Sequence, residues 1–299
     1  MTAPRPVFPG RFLFITRSCT QRQFLLRPDG ETNNAFVYCL AEAAERCEMV
    51  VVLSQMMSNH HHTMVYDPKG RQVEFREHFH KMLAKSQNAL RQRSENMWSS
   101  DEPSVVELGV EDLLEKLVYI ATNPVKDGLV ERVKDWPGPK CVRALLTGEP
   151  ITATRPTHFF RACGVMPLDV TLVMKLPDHF EGKAEFLDQL QRRITVVEDE
   201  LARERQRTGC KVLGRHHVQH QSWLETATSE RPRRELRPRL AARDPQVRIA
   251  MIKRNKAWQA SYCKARKALR DGEDVEFPYG TYWLRRFAGV RVEPPQEHC

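Results

Sequence analysis

Residues 49–65, Met-Val-Val-Val-Leu-Ser-Gln-Met-Met-Ser-Asn-His-His-His-Thr-Met-Val, constrain the fold more than any other stretch of the chain. Five apolar residues, 49–53, form a β-branched run of the kind that fills the middle of a sheet, and Ser58-Asn59 then turns the chain. In the strand that follows, side chains alternate between faces. His60, His62 and Met64 therefore share one face, while His61 and Thr63 take the other. Two imidazoles converging on one strand face suit a divalent metal, which needs neutral nitrogen ligands and a further oxygen or nitrogen from elsewhere. A surface histidine run on an edge strand is the plainer alternative.

The chain has 299 residues, enough for about two domains and a substantial core. No apolar run approaches the roughly 18 residues of a membrane helix, and no charged-apolar-small leader pattern opens the sequence. Both point to a cytoplasmic protein without a membrane partner. Eight cysteines are scattered with no Cys-x-x-Cys pair, which speaks against a zinc knuckle or a disulfide framework. The formal charge of +9 is unevenly placed, because residues 1–140 carry 18 basic and 18 acidic groups and residues 141–299 carry 29 and 20. A basic second half beside a neutral first half suggests an appended polyanion-binding region, with nucleic acid as the natural partner.

Periodicity places a first strand over 11–19 and a helix from Asn33 as N-cap to about Arg46, buried through Phe36, Val37, Leu40 and Ala44. Residues 72 to about 93 and 110 to about 122 are also predicted helical. His78-Phe79-His80 looks like a metal pair, but on a helix residues two apart diverge around the axis, which excludes it. Tyr119 is expected on the polar side of its helix, with Asp112, Glu115, Lys116, Thr122 and Asn123, and Pro124 is expected to end or kink that helix. Residues 136–139, Trp-Pro-Gly-Pro, read as a boundary, 136–180 as an adaptor, and 183 to about 207 as a helix with a seam through Leu187, Leu190, Ile194, Val197 and Leu201. Residues 231–243 form an extended basic arm suited to tracking phosphates. A basic helix follows near 247–270 with Trp258 and Tyr262 one turn apart. The interleaved aromatics and arginines of 277–287 suit either base stacking or the packing of a small helical domain. His216, His217 and His220 are expected in a polar loop.

Asn59-His60-His61-His62 followed by Tyr119-Ile120-Ala121-Thr122-Asn123-Pro124-Val125-Lys126-Asp127-Gly128-Leu129-Val130 resembles the single-tyrosine HUH transposases. More narrowly, the chain is similar to the REP-associated tyrosine transposases of bacteria and their insertion-sequence relatives. The resemblance runs in order from residue 11 to about 135 and includes Thr16-Arg17 and Met57-Ser58-Asn59-His60.

The resemblance implies an α+β fold, with a ferredoxin-like antiparallel sheet and helices in a catalytic domain over 1–135, an adaptor over 136–180, and a basic, mainly helical region over 181–299. It implies that His60 and His62 bind a divalent metal, Mg²⁺ or Mn²⁺, that Asn123 supplies a third ligand, and that Tyr119 is the nucleophile. The residue before a proline is pushed away from helical geometry, which puts the alignment of Asn123 below Tyr119 in question. The middle residue of the histidine triplet is usually bulky and apolar in the family, so His61 is expected to burden the packing beneath the sheet rather than ligation. DNA contacts are expected from Arg17, from Arg233, Arg234, Arg237 and Arg239 of the basic arm, and from Trp258. The implied activity is nicking and transfer of single-stranded DNA at hairpins, such as repetitive palindromic or transposon-end sequences, through a 5′-phosphotyrosine link by a monomer or homodimer. The alternative is a catalytically inactive DNA-hairpin-binding protein.

Overall fold

The computed structural model describes residues 4–101, 103–228 and 238–295. Its first elements are β1 (Arg11–Ser18), α1 (Gly30–Cys47), β2 (Val50–Met56), β3 (His60–Asp67), α2 (Gln72–Leu90) and β4 (Ser104–Leu108). The strands lie in the order β2-β3-β1-β4 with every neighbour antiparallel, which together with the βαββαβ chain order is the expected ferredoxin-like arrangement. Both faces of the sheet are covered, so β1 reads as a nearly unbroken apolar run rather than a polar alternation. Phe12, Phe14 and Thr16 point to one face, termed the front. Leu13, Ile15 and Arg17 point to the back, where α1 and α2 pack.

Helix α1 starts three residues before the expected cap. Asp29, not Asn33, is the N-cap, and its carboxylate accepts the Thr32 N–H at 2.8 Å. Asn33 lies inside the helix and donates its amide to the Pro137 carbonyl at 2.9 Å, so the Trp-Pro-Gly-Pro stretch is docked to the domain. The Trp136 indole likewise donates to the Met56 carbonyl at the end of β2.

Helix α3 (Leu113–Lys126) carries Tyr119 and runs through Pro124 instead of ending there. Proline this close to a C-terminus forfeits a single helical hydrogen bond, and the real stop comes at Gly128, whose φ of +67° suits glycine. Next come α4 (Cys141–Thr147) and a hairpin of β5 (Ile151–Thr154) and β6 (Asp169–Leu172). Within 136–180, Cys141, Leu145, Ala153, Val170 and Leu172 sit in the same apolar core as the sheet.

Helix α5 (Lys183–Thr208) lies along α3 and buries Leu190 and Ile194, so the seam read from its periodicity is intramolecular. Glu198 of α5 accepts the Val133 N–H at 2.6 Å. The short α6 (Arg215–His220) holds His216 and His220 with rings stacked at 4.1 Å, where the sequence suggested a loop. Beyond the undescribed residues, β7 (Leu240–Ala241) joins the sheet parallel to β4. The chain then enters α7 (Pro245–Arg270), capped by Asp244, and α8 (Trp283–Ala288). Cys19, Cys39, Cys47 and Cys141 are buried free thiols, while Cys163, Cys210 and Cys263 are exposed and also free.

Candidate active site

Strand β3 presents His60 and His62 side by side on the front face, with ring centroids 4.7 Å apart. The antiparallel register sets Thr16 of β1 on one side of His62 and Gln55 of β2 on the other. Thr16 Oγ1 lies 2.8 Å from His62 Nδ1, and Phe14 stacks on the same ring at 5.2 Å. His60 Nδ1 lies 2.7 Å from Asn59 Oδ1. A carbonyl oxygen can only accept, so Asn59 holds the His60 proton on Nδ1 and leaves Nε2 with a lone pair directed away.

Tyr119 faces this pair from α3. Its ring centroid is 5.5 Å from that of His62 and meets Phe14 edge-on at 6.3 Å. The side chain is 39% exposed, which leaves the phenol approachable. Lys116 and Lys126, one turn before and two turns after it on the same helical face, place their ammonium groups 5.2 and 5.4 Å from the ring centroid. Asn123 sits one turn beyond Tyr119 and is buried. The helix is continuous through residue 123, so the residue before Pro124 keeps helical geometry after all.

Burial holds the front histidines neutral. The His60 pKa falls to about 4, through desolvation first and then the charge of Arg22. His62 is driven well below its ordinary value by desolvation, with further contributions from His60, His61 and Lys116. Lys116 is itself lowered by burial, against the opposing pull of Asp112. Neutral imidazoles are what a divalent cation requires, and for His60 the acceptor Asn59 Oδ1 also sets the tautomer. Among the described residues no group of three His, Cys, Asp or Glu converges. A cation here would therefore find His60 and His62 as its nitrogen ligands, with the remaining positions left to oxygens. Such a mixed nitrogen and oxygen set suits Mn²⁺ better than Mg²⁺, which prefers oxygen throughout.

His61 points to the back, as alternation requires. It is fully buried between Phe36, Phe79 and Trp98, with Nδ1 2.9 Å from Thr63 Oγ1 and Nε2 3.0 Å from His80 Nε2. Both its nitrogens are engaged, so it adds a hydrogen-bonded chain to the core instead of a bare polar group. His78 meanwhile turns to Glu42, with Nε2 2.5 Å from Oε2, and the two histidines of the 78–80 triplet diverge as helix geometry demands.

The expected DNA contacts are dispersed. Arg17 and Arg239 line one cleft of about 770 Å³ on the back of the sheet, together with Arg76, Lys81, Lys256 and Trp98. The Arg17 guanidinium lies 5.8 Å above the Trp98 ring. Arg233, Arg234 and Arg237 lie outside the described residues. Trp258 is buried, stacked on Tyr262 at 5.1 Å, and its indole donates to the Tyr279 carbonyl at 2.8 Å. It packs the C-terminal helical unit and presents no free face to a base.

Sequence reasoning assigned no role to Phe14, Thr16, Gln55, Lys116 or Lys126 at this site. Lys116 and Lys126 were legible as helical neighbours of Tyr119 at −3 and +7. The strand residues were not, because their proximity depends on a β1-β3-β2 register that local pattern does not carry.

No family model and no curated protein matches the chain. Solved structures similar to it include two transposases. A REP-associated tyrosine transposase bound to a REP hairpin aligns over 55% of this chain and 99% of its own, with 19% identity and a TM-score of 0.39. A putative transposase from Deinococcus radiodurans R1 aligns over 40% of this chain and 95% of its own, with 14% identity and a TM-score of 0.30.

Proposed function

We propose that this protein is a metal-dependent DNA strand transferase that nicks single-stranded DNA beside hairpins through Tyr119. The observation that carries this reading is the approach of Tyr119 to 5.5 Å from His62, on the face where His62 also meets His60. In-line attack of Tyr119 Oη on a phosphodiester forms the 5′-phosphotyrosine bond and expels the 3′ oxygen, which leaves as a hydroxyl. A phenol has a pKa of about 10, so its proton must depart during attack. The Lys116 and Lys126 ammonium groups beside the ring favour the developing phenoxide and draw in the phosphate backbone. His60, His62 and Asn123 would hold a divalent cation, which would supply charge neutralisation at the scissile phosphate. Thr16 and Asn59 orient the two imidazoles, and Phe14 shields the His62 ring from water. The diester energy is kept in the phosphotyrosine, so a free 3′-hydroxyl can reverse the step without a nucleotide cofactor.

The test is a denaturing gel for a protein-DNA adduct, with labelled single strands carrying a hairpin and with Mn²⁺ present. An adduct with the wild type, none with Tyr119→Phe, loss on chelation and recovery with Mn²⁺ more than with Mg²⁺ is the expected result. Hairpin binding with no adduct under any divalent ion would move the protein to the second reading, a hairpin-binding protein that does not cut. That reading draws on the thin donor set, two histidines with no carboxylate joining them among the described residues.

A further inference from the structure

Beside His62, on the same face of the sheet, lies a cavity of about 600 Å³ that the transfer chemistry leaves unused. Its walls are apolar: Trp136, Val142, Leu146 and Ile194, contributed by the docked 132–140 segment, α4 and α5. Its inner end is Gln55 of β2, the direct cross-strand partner of His62. Gln55 is 3% exposed, and its amide nitrogen has no hydrogen-bond partner among the described residues. An orphaned buried amide is costly unless something else satisfies it. The rim carries Lys134, Lys140 and Arg143, of which Lys140 donates to the Lys134 and Trp136 carbonyls and Arg143 pairs with Glu149 at 2.9 Å, contacts that a bound phosphate would share or replace. The carboxylate lining the cavity, Glu198, is already engaged by Arg132 and the Val133 N–H. Trp136 is held in place by its bond to Met56, so the wall is preformed.

An apolar slot, one buried hydrogen-bonding group and a positive rim form the complement of a nucleotide: a flat ring with polar edges attached to a phosphate chain. We propose that this cavity takes one unpaired nucleobase of the DNA strand, from the nucleotide next to the scissile phosphate. The base enters edge first against Gln55 while its flanking phosphates lie along Lys134, Lys140 and Arg143. The inference rests on the strand-transfer reading and adds a substrate subsite to it. It also gives the enzyme a means of accepting only single-stranded DNA at the cut, since a paired base cannot leave its stack to fill the slot.

The experiment uses the full chain and a hairpin-bearing single strand selected from a randomised pool for adduct formation. An abasic residue is walked through the positions around the cut, and affinity is measured in the Tyr119→Phe background, where no cleavage interferes. One position beside the scissile phosphate should lose about tenfold in affinity, the range expected for one buried, stacked base. Leu146→Trp, which fills the slot from its half-buried mouth, should weaken the intact strand by a similar factor and the abasic strand not at all. Gln55→Leu should flatten the preference among the four bases at that position. A flat abasic scan together with unchanged affinity in Leu146→Trp, in a protein that still forms the adduct, overturns the subsite and leaves the strand-transfer reading standing. Equal weakening of intact and abasic strands by Leu146→Trp means that the slot grips backbone only, which also overturns it. A wild type that neither binds the single strands nor forms an adduct removes both.

Discussion

The two faces of strand β3 carry the same side chain to opposite ends. On the front, His60 and His62 are each held through one nitrogen, by Asn59 and Thr16, and stand beside a half-open tyrosine. On the back, His61 spends both nitrogens, on Thr63 and His80, under a lid of Phe36, Phe79 and Trp98. All three are kept neutral by burial, with His62 well below its ordinary value, His60 lowered to about 4 and His61 to about 3. Neutrality therefore does not distinguish a ligand from a core residue. What distinguishes them is whether a lone pair is left over, and the pleat decides that.

Substitutions can break this comparison at several points, in descending order of effect. His60→Ala and His62→Ala should each lower adduct formation on the order of a hundredfold or more, at the upper end of what even the supporting shell of a metal site is worth, with the thermal midpoint little changed. Single-turnover assays with far-ultraviolet dichroism as the folding control would measure this. An equal loss in His61→Val would sink the division of faces.

His61→Val should instead keep the cleavage rate per folded molecule and cost stability. It strands His80 Nε2 in the core, while Thr63 Oγ1 keeps Ser54 Oγ at 2.8 Å, and should cost about 1–3 kcal/mol, read as a lower urea midpoint at pH 7.

The acid limb sharpens the same point. His61 and His80 are neutral when folded and take up protons in the unfolded chain, so the unfolded state binds more protons as pH falls below about 6.5. Stability should decline from there towards the depressed folded value of about 3 for His61. Urea midpoints between pH 7 and pH 4.5 should fall less steeply in His61→Val than in the wild type, even though the variant starts lower. A parallel decline would mean that other groups carry the acid limb.

The smallest effect belongs to the cleft behind the sheet. Arg239→Gln should leave the adduct yield intact and reduce the slope of log affinity against log salt by about one, the release of a single counterion. An unchanged slope would take Arg239 off the DNA.

How much of this was legible depends on the range over which each feature is encoded. The division of the three histidines follows from a period of two and needs only the strand itself. The divergence of His78 and His80 and the grouping of Lys116 with Tyr119 follow equally from the helical period. Pro124 misled because the rule for proline concerns helix interiors, whereas here it falls in the last turn, where one lost bond is easily borne. The start of α1 was misplaced because Asn33 and Asp29 are both plausible caps, and only the chain path from Arg27 selects Asp29, which it pairs with at 2.9 Å. The seam on α5 was visible, but its partner α3 was not. Cutting the chain near residue 178 would strip Leu190 and Ile194 from the core and uncover the helix that carries Tyr119. Gln55 and Thr16 gave no signal at all, since a glutamine and a threonine in strands become site residues only through cross-strand register.

The way the sheet ends has a consequence for how copies of this chain can meet. At one margin β4 is already joined by β7, with the N–H groups of Glu107 and Gly109 given to the carbonyls of Arg239 and Ala241. At the other, β2 gives its Val51 carbonyl to the Lys175 N–H and its Met56 carbonyl to the Trp136 indole. Each border is thus met by the chain's own later segments, which leaves less free strand backbone for a second molecule to pair with. The same cover lowers the exposure of both sheet edges to templated aggregation, the hazard that unpaired strand backbone carries.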